Sequence, residues 1–212
     1  MVNKHPEFRI FVEGGGHKRL NDACRRGFGR FFEAYGLGSR RPRVVACGSR
    51  RFAYDDFCLA IRKAQPGDIF ILLVDSESAF SITDNQGYWQ HVKHRSGDKW
   101  DCPEKVTDDQ LHFMVECMEN WFFADQESLS KYFGKGFNKN SLTAPVNVER
   151  LDKENVYRQL RESTRHLTNK QPYSKGNDSF AILENLDPRK VSSKAPNAKR
   201  LLDKLQNISG LN

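Results

Sequence analysis

Apolar residues recur along the chain in two rhythms. Short unbroken runs, IFV within RIFVEGGG (9–16), RVVAC (43–47) and DIFILLVD (68–75), are bounded by glycine, proline or acidic residues. They are too short for helices and read as buried strands. Between them the period lengthens to three and four. Leu20, Cys24, Phe28, Phe31 and Phe32 mark one face of a helix over 17–35 that Gly36 and Gly38 close, and 51–64 repeats the pattern ahead of Pro66 and Gly67. Strand, helix, strand, helix, strand predicts parallel pairing through right-handed crossovers, with ligands bound at the carboxyl ends of the strands.

The pattern then weakens. Residues 78–109 are polar, with Gly87, Gly97 and Pro103 among the aromatics Tyr88, Trp89 and Trp100, and read as a long lid or substrate loop. LHFMVECM (111–118) reads as a fourth strand followed by a helix over 120–133, with a single helix across the whole segment as the alternative. Beyond Gly136 the composition shifts to Asn, Lys and Ser, and helical patterns return at 152–164, 177–185 and 195–206. The fold class expected is α/β: a mostly parallel sheet of about four strands flanked by helices in residues 1–136, and a helical C-terminal region, 137–212, packed on it.

Acids end the apolar runs. Glu13 follows the first, Asp75 and Glu77 the third, and Glu119 the fourth, so the topology gathers four carboxylates at one sheet edge. Hard oxygen ligands of this kind suit Mg²⁺ or Mn²⁺, while any one of them alone is more often a solvated loop residue. The glycines after Glu13 form no dinucleotide fingerprint, because Arg19 stands where GxGxxG needs its last glycine, and GxxxxGK[ST] is absent as well. They suit instead a close approach of a phosphate or metal to the backbone. Cys47 and Cys117 carry no nucleophile signature and read as packing residues, and His91 and His94 read as a solvated pair.

Composition changes this picture little. The chain is 38% hydrophobic and 29% charged, with 15 Phe and 3 Trp, which argues for a packed globular interior. Lys plus Arg is 34 against 27 Asp plus Glu, a net +7 that is compatible with a polyanionic partner without requiring one. Five widely spaced cysteines without a CxxC pair suggest reduced thiols and a cytoplasmic protein, and no run approaches the about 18 apolar residues of a membrane span.

Glu13 followed by glycine after a first strand, and Asp75-Ser76-Glu77 after a later one, resemble the signature of the Toprim domain, with Glu at the third position where DxD is usual. FVEGGG, RPRVVACGSR, YDDF, LLVDSE, TDDQLHFMVECMENWFFAD and YSKGNDSF together resemble the Toprim-like family catalogued as domain of unknown function 4276, over roughly 8–190. Toprim proteins include topoisomerases, primases and overcoming-lysogenization-defect nucleases, and small relatives are encoded beside ATPases in antiphage defence systems.

The resemblance implies a Toprim-like core and a metal-dependent nuclease acting on DNA or RNA. Glu13 would serve as general base or metal ligand, Asp75 and Glu77 would hold Mg²⁺ or Mn²⁺, and Glu119 would complete the acidic cluster. Lys175, with Arg50 and Arg51 after the second strand, would meet the nucleic-acid backbone, and Trp89 and Trp100 could stack on bases. With no Walker A motif in the chain, an ABC-type or related ATPase would be a separate subunit encoded nearby. No membrane is expected as a partner, and the reading admits a homo-oligomer. The alternative is a non-catalytic subunit that keeps the scaffold and docks on an ATPase.

Overall fold

The computed structural model describes residues 6–80, 87–176 and 178–210. Four strands, β1 (Phe8–Val12), β2 (Arg43–Ala46), β3 (Ile69–Asp75) and β4 (Leu111–Met114), form one all-parallel sheet in the order β2-β1-β3-β4. Helix α1 (Lys18–Phe32) joins β1 to β2, and α2 (Arg50–Arg62) carries the chain back over β1 to β3. Strand order therefore reverses between β1 and β3. In such sheets the two loops that part at this switch point leave a crevice at the carboxyl ends.

The period-2 alternation of the strands explains how both faces are covered. Ile10, Val12, Ile71 and Leu73 point to the face packed by Cys24, Phe28, Phe31 and Phe32 of α1. Phe11, Phe70, Leu72 and Val74 point to the other, against Ala53, Phe57 and Ala60 of α2.

The segment 78–109 is not the open loop its polarity suggests. Within it α3 (Tyr88–His94) buries Tyr88, Trp89 and Val92 on the α2 side, while residues 81–86, part of the expected lid, lie outside the described residues. Trp89 and Trp100 are 6% and 3% exposed, and Trp100 stacks on Tyr54 with ring centroids 4.5 Å apart, so both tryptophans are packing residues rather than base platforms.

The fourth strand stops at Met114, and a 3₁₀ stretch over Met118–Ala124 precedes α4 (Gln126–Phe133), in place of a strand to 118 and one helix over 120–133. Asp125 makes the break: its non-helical backbone (φ −130°, ψ 69°) and its side chain, which accepts from the Ser128 amide, start a new helix there. The C-terminal region supplies α5 (Lys153–Ser163), α6 (Ser179–Leu183), α7 (Pro188–Lys194) and α8 (Pro196–Ile208). Of these α7 was not foreseen; it begins at a proline in the first helical turn behind an Asp187 cap.

These helices share a core with the sheet: α6 packs on α1 and α8 on β4, and Val156, Leu183 and Leu201 join the same apolar cluster as Phe28 and Trp121. The contact of α1 with α6 is close enough to require glycine. A Cβ on Gly27 would stand 2.7 Å from the Phe180 carbonyl oxygen, a backbone atom that cannot turn aside. Alanine improves intrinsic helix propensity by up to about 1 kcal/mol, yet overpacking of this kind costs typically about 1–3 kcal/mol. Gly27→Ala should therefore lower stability in urea denaturation; a stabilised variant would show that the two helices separate easily.

Candidate metal centre at the sheet's carboxyl edge

The register of the sheet places the acids. Val12 is paired with Leu73, and the next residue, Glu13, continues the ladder by donating its amide to the Leu73 carbonyl at 3.0 Å. Two residues on, the Asp75 amide donates to Glu13 Oε2 at 3.1 Å, which draws the first carboxylate across the switch point towards β3. Asp75 is 6% exposed, and its Oδ1 accepts the Met118 amide at 3.0 Å. Glu77 adopts a left-handed backbone (φ +62°), uncommon for a residue with a side chain, and donates its amide to the Glu116 carbonyl. Such strain, of order 1–3 kcal/mol, persists where surrounding structure holds it, often at functional sites.

With these constraints, ligand oxygens of Glu13, Asp75 and Glu77 all lie within 4.8 Å of one another. Oxygens on opposite sides of one Mg²⁺ at about 2.1 Å would be about 4.2 Å apart, so modest side-chain rotation suffices for the three to share an ion. A hard, all-oxygen donor set fits Mg²⁺ or Mn²⁺ rather than a thiophilic metal. Electrostatics agree with an unmet need for positive charge. Burial, and next the charges of Glu13 and Glu119, push the Asp75 carboxyl well above the usual carboxylate range. Burial raises Glu13 too, against the pull of Arg50.

Two cations already attend the acids. Arg50, the first residue of α2 after the Ser49 cap, forks onto Asp98 at 2.8 and 2.7 Å, lies over the Trp100 ring at 4.8 Å, reaches Glu13 Oε2 at 3.5 Å and donates to the Asp75 carbonyl. Lys153, at the start of α5, places Nζ 2.7 Å from Glu77 Oε2. Arg50 is thereby withdrawn from the nucleic-acid role expected of it: its guanidinium is consumed inside the protein, orienting Glu13. Arg51 is exposed and paired with Asp55 at 2.9 Å on its own helix.

Glu119 does not join the three converging acids. It is 2% exposed, and its Oε1 accepts the hydroxyls of Tyr173 and Ser179, each at 2.9 Å, while Oε2 accepts that of Tyr157 at 3.1 Å. Burial and then the Glu119 charge push both tyrosine hydroxyls upward, which keeps them protonated as donors. Ser179 Oγ in turn accepts the Gly176 amide at 3.0 Å, so Glu119 anchors the turn that carries Lys175. Glu119, Lys175 and the acids Glu13 and Asp75 line one cavity of about 290 Å³, closed on its apolar side by Leu20, Met118 and Phe180.

The loops around this cavity depend on glycine. Gly14 and Gly48 exchange backbone hydrogen bonds at 2.9 and 2.8 Å, tying together the turns after β1 and β2. Gly14 has φ +143°, and a Cβ there would lie 2.8 Å from the Phe180 ring.

Burial pushes the Cys47 thiol up to about 12, and burial raises that of Cys117 further, which suits packing and not nucleophilic attack. His91 is held by the Ser76 carbonyl at 3.1 Å and packed on Phe80 and Phe113, instead of being a solvated partner of His94.

Spacing gave no signal for Lys153, Asp98 or the two tyrosines, which lie far along the chain from the acids they serve. Only a positive residue directly behind the Asp152 helix cap could have drawn attention to Lys153.

A carboxyl whose folded value is raised binds its proton more tightly than the unfolded chain does. Its contribution to stability is therefore complete at low pH and is lost as pH rises from about 3.8 through the raised folded value. Asp75→Asn keeps the Oδ1 acceptor and removes the charge. In metal-free solution its Tm should match wild type near pH 4 and exceed it increasingly towards pH 7, by about 2–4 °C for each kcal/mol relieved. A constant difference across that range would show that the Asp75 charge is fully met within the protein.

Among the described residues no helix is long and apolar enough to cross a membrane. No curated protein and no solved structure matches the chain. A family model described as Domain of unknown function (DUF4276) matches residues 12–206, nearly the whole sequence. The chain belongs to that family.

Proposed function

We propose that this protein is a divalent-metal-dependent phosphodiesterase of the Toprim type, cutting nucleic acid in the cytoplasm as the effector subunit of an ATPase-associated antiphage system. The observation that carries the hydrolytic reading is the convergence of Glu13, Asp75 and Glu77 within 4.8 Å in the crevice where the sheet order reverses. Three acids drawn together, two of them half-buried and one buried, form an arrangement that burial and mutual repulsion disfavour; Arg50 on Glu13 and Lys153 on Glu77 leave the Asp75 carboxyl still raised, and a shared cation would relieve it.

A bound Mg²⁺ or Mn²⁺ would lower the pKa of a water molecule and offset charge on the scissile phosphate. Within the chain, Asp75 and Glu77 would supply oxygen ligands, and Glu13, aimed by the Asp75 amide and by Arg50, is placed to ligate or to take a proton from water. Lys175, whose Nζ lies 5.3 Å from the Tyr157 ring centroid, is the one cation among the described residues lining the cavity and is placed to meet a phosphate oxygen.

The test is a cleavage assay on labelled DNA and total RNA in Mg²⁺ or Mn²⁺, with the ATPase subunit added, comparing wild type with Glu13→Gln and Asp75→Asn. Both variants should fold, by circular dichroism, and lose about 10²-fold or more in rate. Equal cleavage by all three would refute the assigned residues. An inert wild type, with partner and trigger present, would leave the scaffold as an ATPase-docking subunit.

A further inference from the structure

The cavity lined by Glu13, Asp75 and Glu119 has a neighbour. At Leu20 and Gly176 it meets a second, wider cavity of about 820 Å³, and the two share both residues. The sign of charge changes at that boundary. Glu13, Asp75 and Glu119 line the first cavity, whereas His17, Lys18, Arg19 and Arg26 line the second, with Asp22 as its one acid.

The charges of this second cavity are not all taken internally. Arg25 engages Asp22 at 3.0 Å and Glu184 engages Arg26 at 2.8 Å. Lys18 and Arg19 are exposed and, among the described residues, take part in no ion pair and no side-chain hydrogen bond. Arg50 and Arg51, by contrast, are committed to Asp98 and Asp55. Two bare cations beside the mouth of an acidic cavity are placed to hold an anionic chain whose next unit lies at the acids.

The shape of the first cavity narrows the class of that chain. Asp75, 6% exposed, lines it together with Leu20, Met118 and Phe180, in about 290 Å³. A phosphate held on a stacked duplex cannot leave the helix surface to enter a recess of this size, while an unpaired strand can bend into it.

Resting on the hydrolytic reading above, we infer that the substrate is an unpaired stretch of nucleic acid that lies over Lys18 and Arg19 in the second cavity and crosses the rim formed by Leu20 and Gly176 to reach the acids. Lys18 and Arg19, and not Arg50 and Arg51, are then the residues that track its backbone.

Binding can be read without cleavage. Fluorescence anisotropy in EDTA at low salt would use labelled 12-nucleotide oligothymidylate and oligouridylate against a hairpin duplex of equal length, on wild type, the double variant Lys18→Glu/Arg19→Glu, and Arg51→Glu. Wild type should bind one of the single strands at least about tenfold more tightly than the duplex. The double variant should lose about tenfold and reduce the slope of log affinity against log salt by about 1.4, at about 0.7 per phosphate contact, while Arg51→Glu stays within about twofold. Preference for the duplex, no binding by wild type, or equal effects of the double variant and Arg51→Glu would overturn the inference. The two readings fail separately. Strand binding that depends on Lys18 and Arg19, without cleavage in Mn²⁺, would remove the hydrolytic reading alone. Cleavage that needs Glu13 yet ignores Lys18 and Arg19 would remove the strand path alone.

Discussion

The Asp75 amide, donating to Glu13 Oε2 at 3.1 Å, is the contact on which the site depends. It exists because β1 and β3 are paired in a register that sets Val12 opposite Leu73, leaving Glu13 and Asp75 as neighbours just past the last paired residues. A slip of one residue in β1 would carry the Glu13 carboxylate away from the Asp75 amide and bury Phe11 where Val12 now lies. The strand register that packs the two faces thus also sets Glu13 beside Asp75.

Placing acids this close has an electrostatic cost, and the surrounding structure is arranged to offset it. Arg50 reaches Glu13 and the Asp75 carbonyl only because Asp98 holds the rest of its guanidinium in a two-point contact and Trp100 supports its face. Asp98 and Trp100 come from the segment after α3, which explains why that polar stretch folds against α2. Lys153 arrives from the C-terminal region to meet Glu77. Removing one partner from such a buried arrangement leaves the others uncompensated, so the acids and their cations act as a unit.

The sheet, its order of crossovers and the edge carrying the acids were legible because short apolar runs and three-four spacings are local signals. Glu13, Asp75 and Glu77 followed from the same signals, since each stands directly after a run. Arg50 was placed at the right edge, but nothing in SRRF indicates that Asp98, 48 residues later, will engage the guanidinium. Trp89 and Trp100 misled for a related reason. A polar sequence with two tryptophans looks open until Tyr54 and Phe57 of α2 are seen beneath them. Glu119 stands after the fourth apolar run as expected, yet β4 ends at Met114 and the 3₁₀ stretch turns Glu119 inward to three hydroxyls.

That inward turn explains what the C-terminal region contributes. Glu119 binds Tyr157 from α5, Tyr173 from the loop beyond it and Ser179 from α6, three partners from separate parts of residues 137–212. Through Ser179 it fixes Gly176, and the adjacent Phe180 ring packs where Gly14 lacks a side chain. The wall of the acidic cavity opposite the sheet is therefore built by the C-terminal helices and held by one buried carboxylate. A sheet alone, ending near residue 136, would present Glu13 and Asp75 to open solvent, without Lys153 or Lys175. In that setting the acids would be three solvated residues at a strand edge, which is how each reads when taken singly from the sequence. Their grouping as a site arises from enclosure, and the enclosure comes from the C-terminal third of the chain, whose sequence pattern said least.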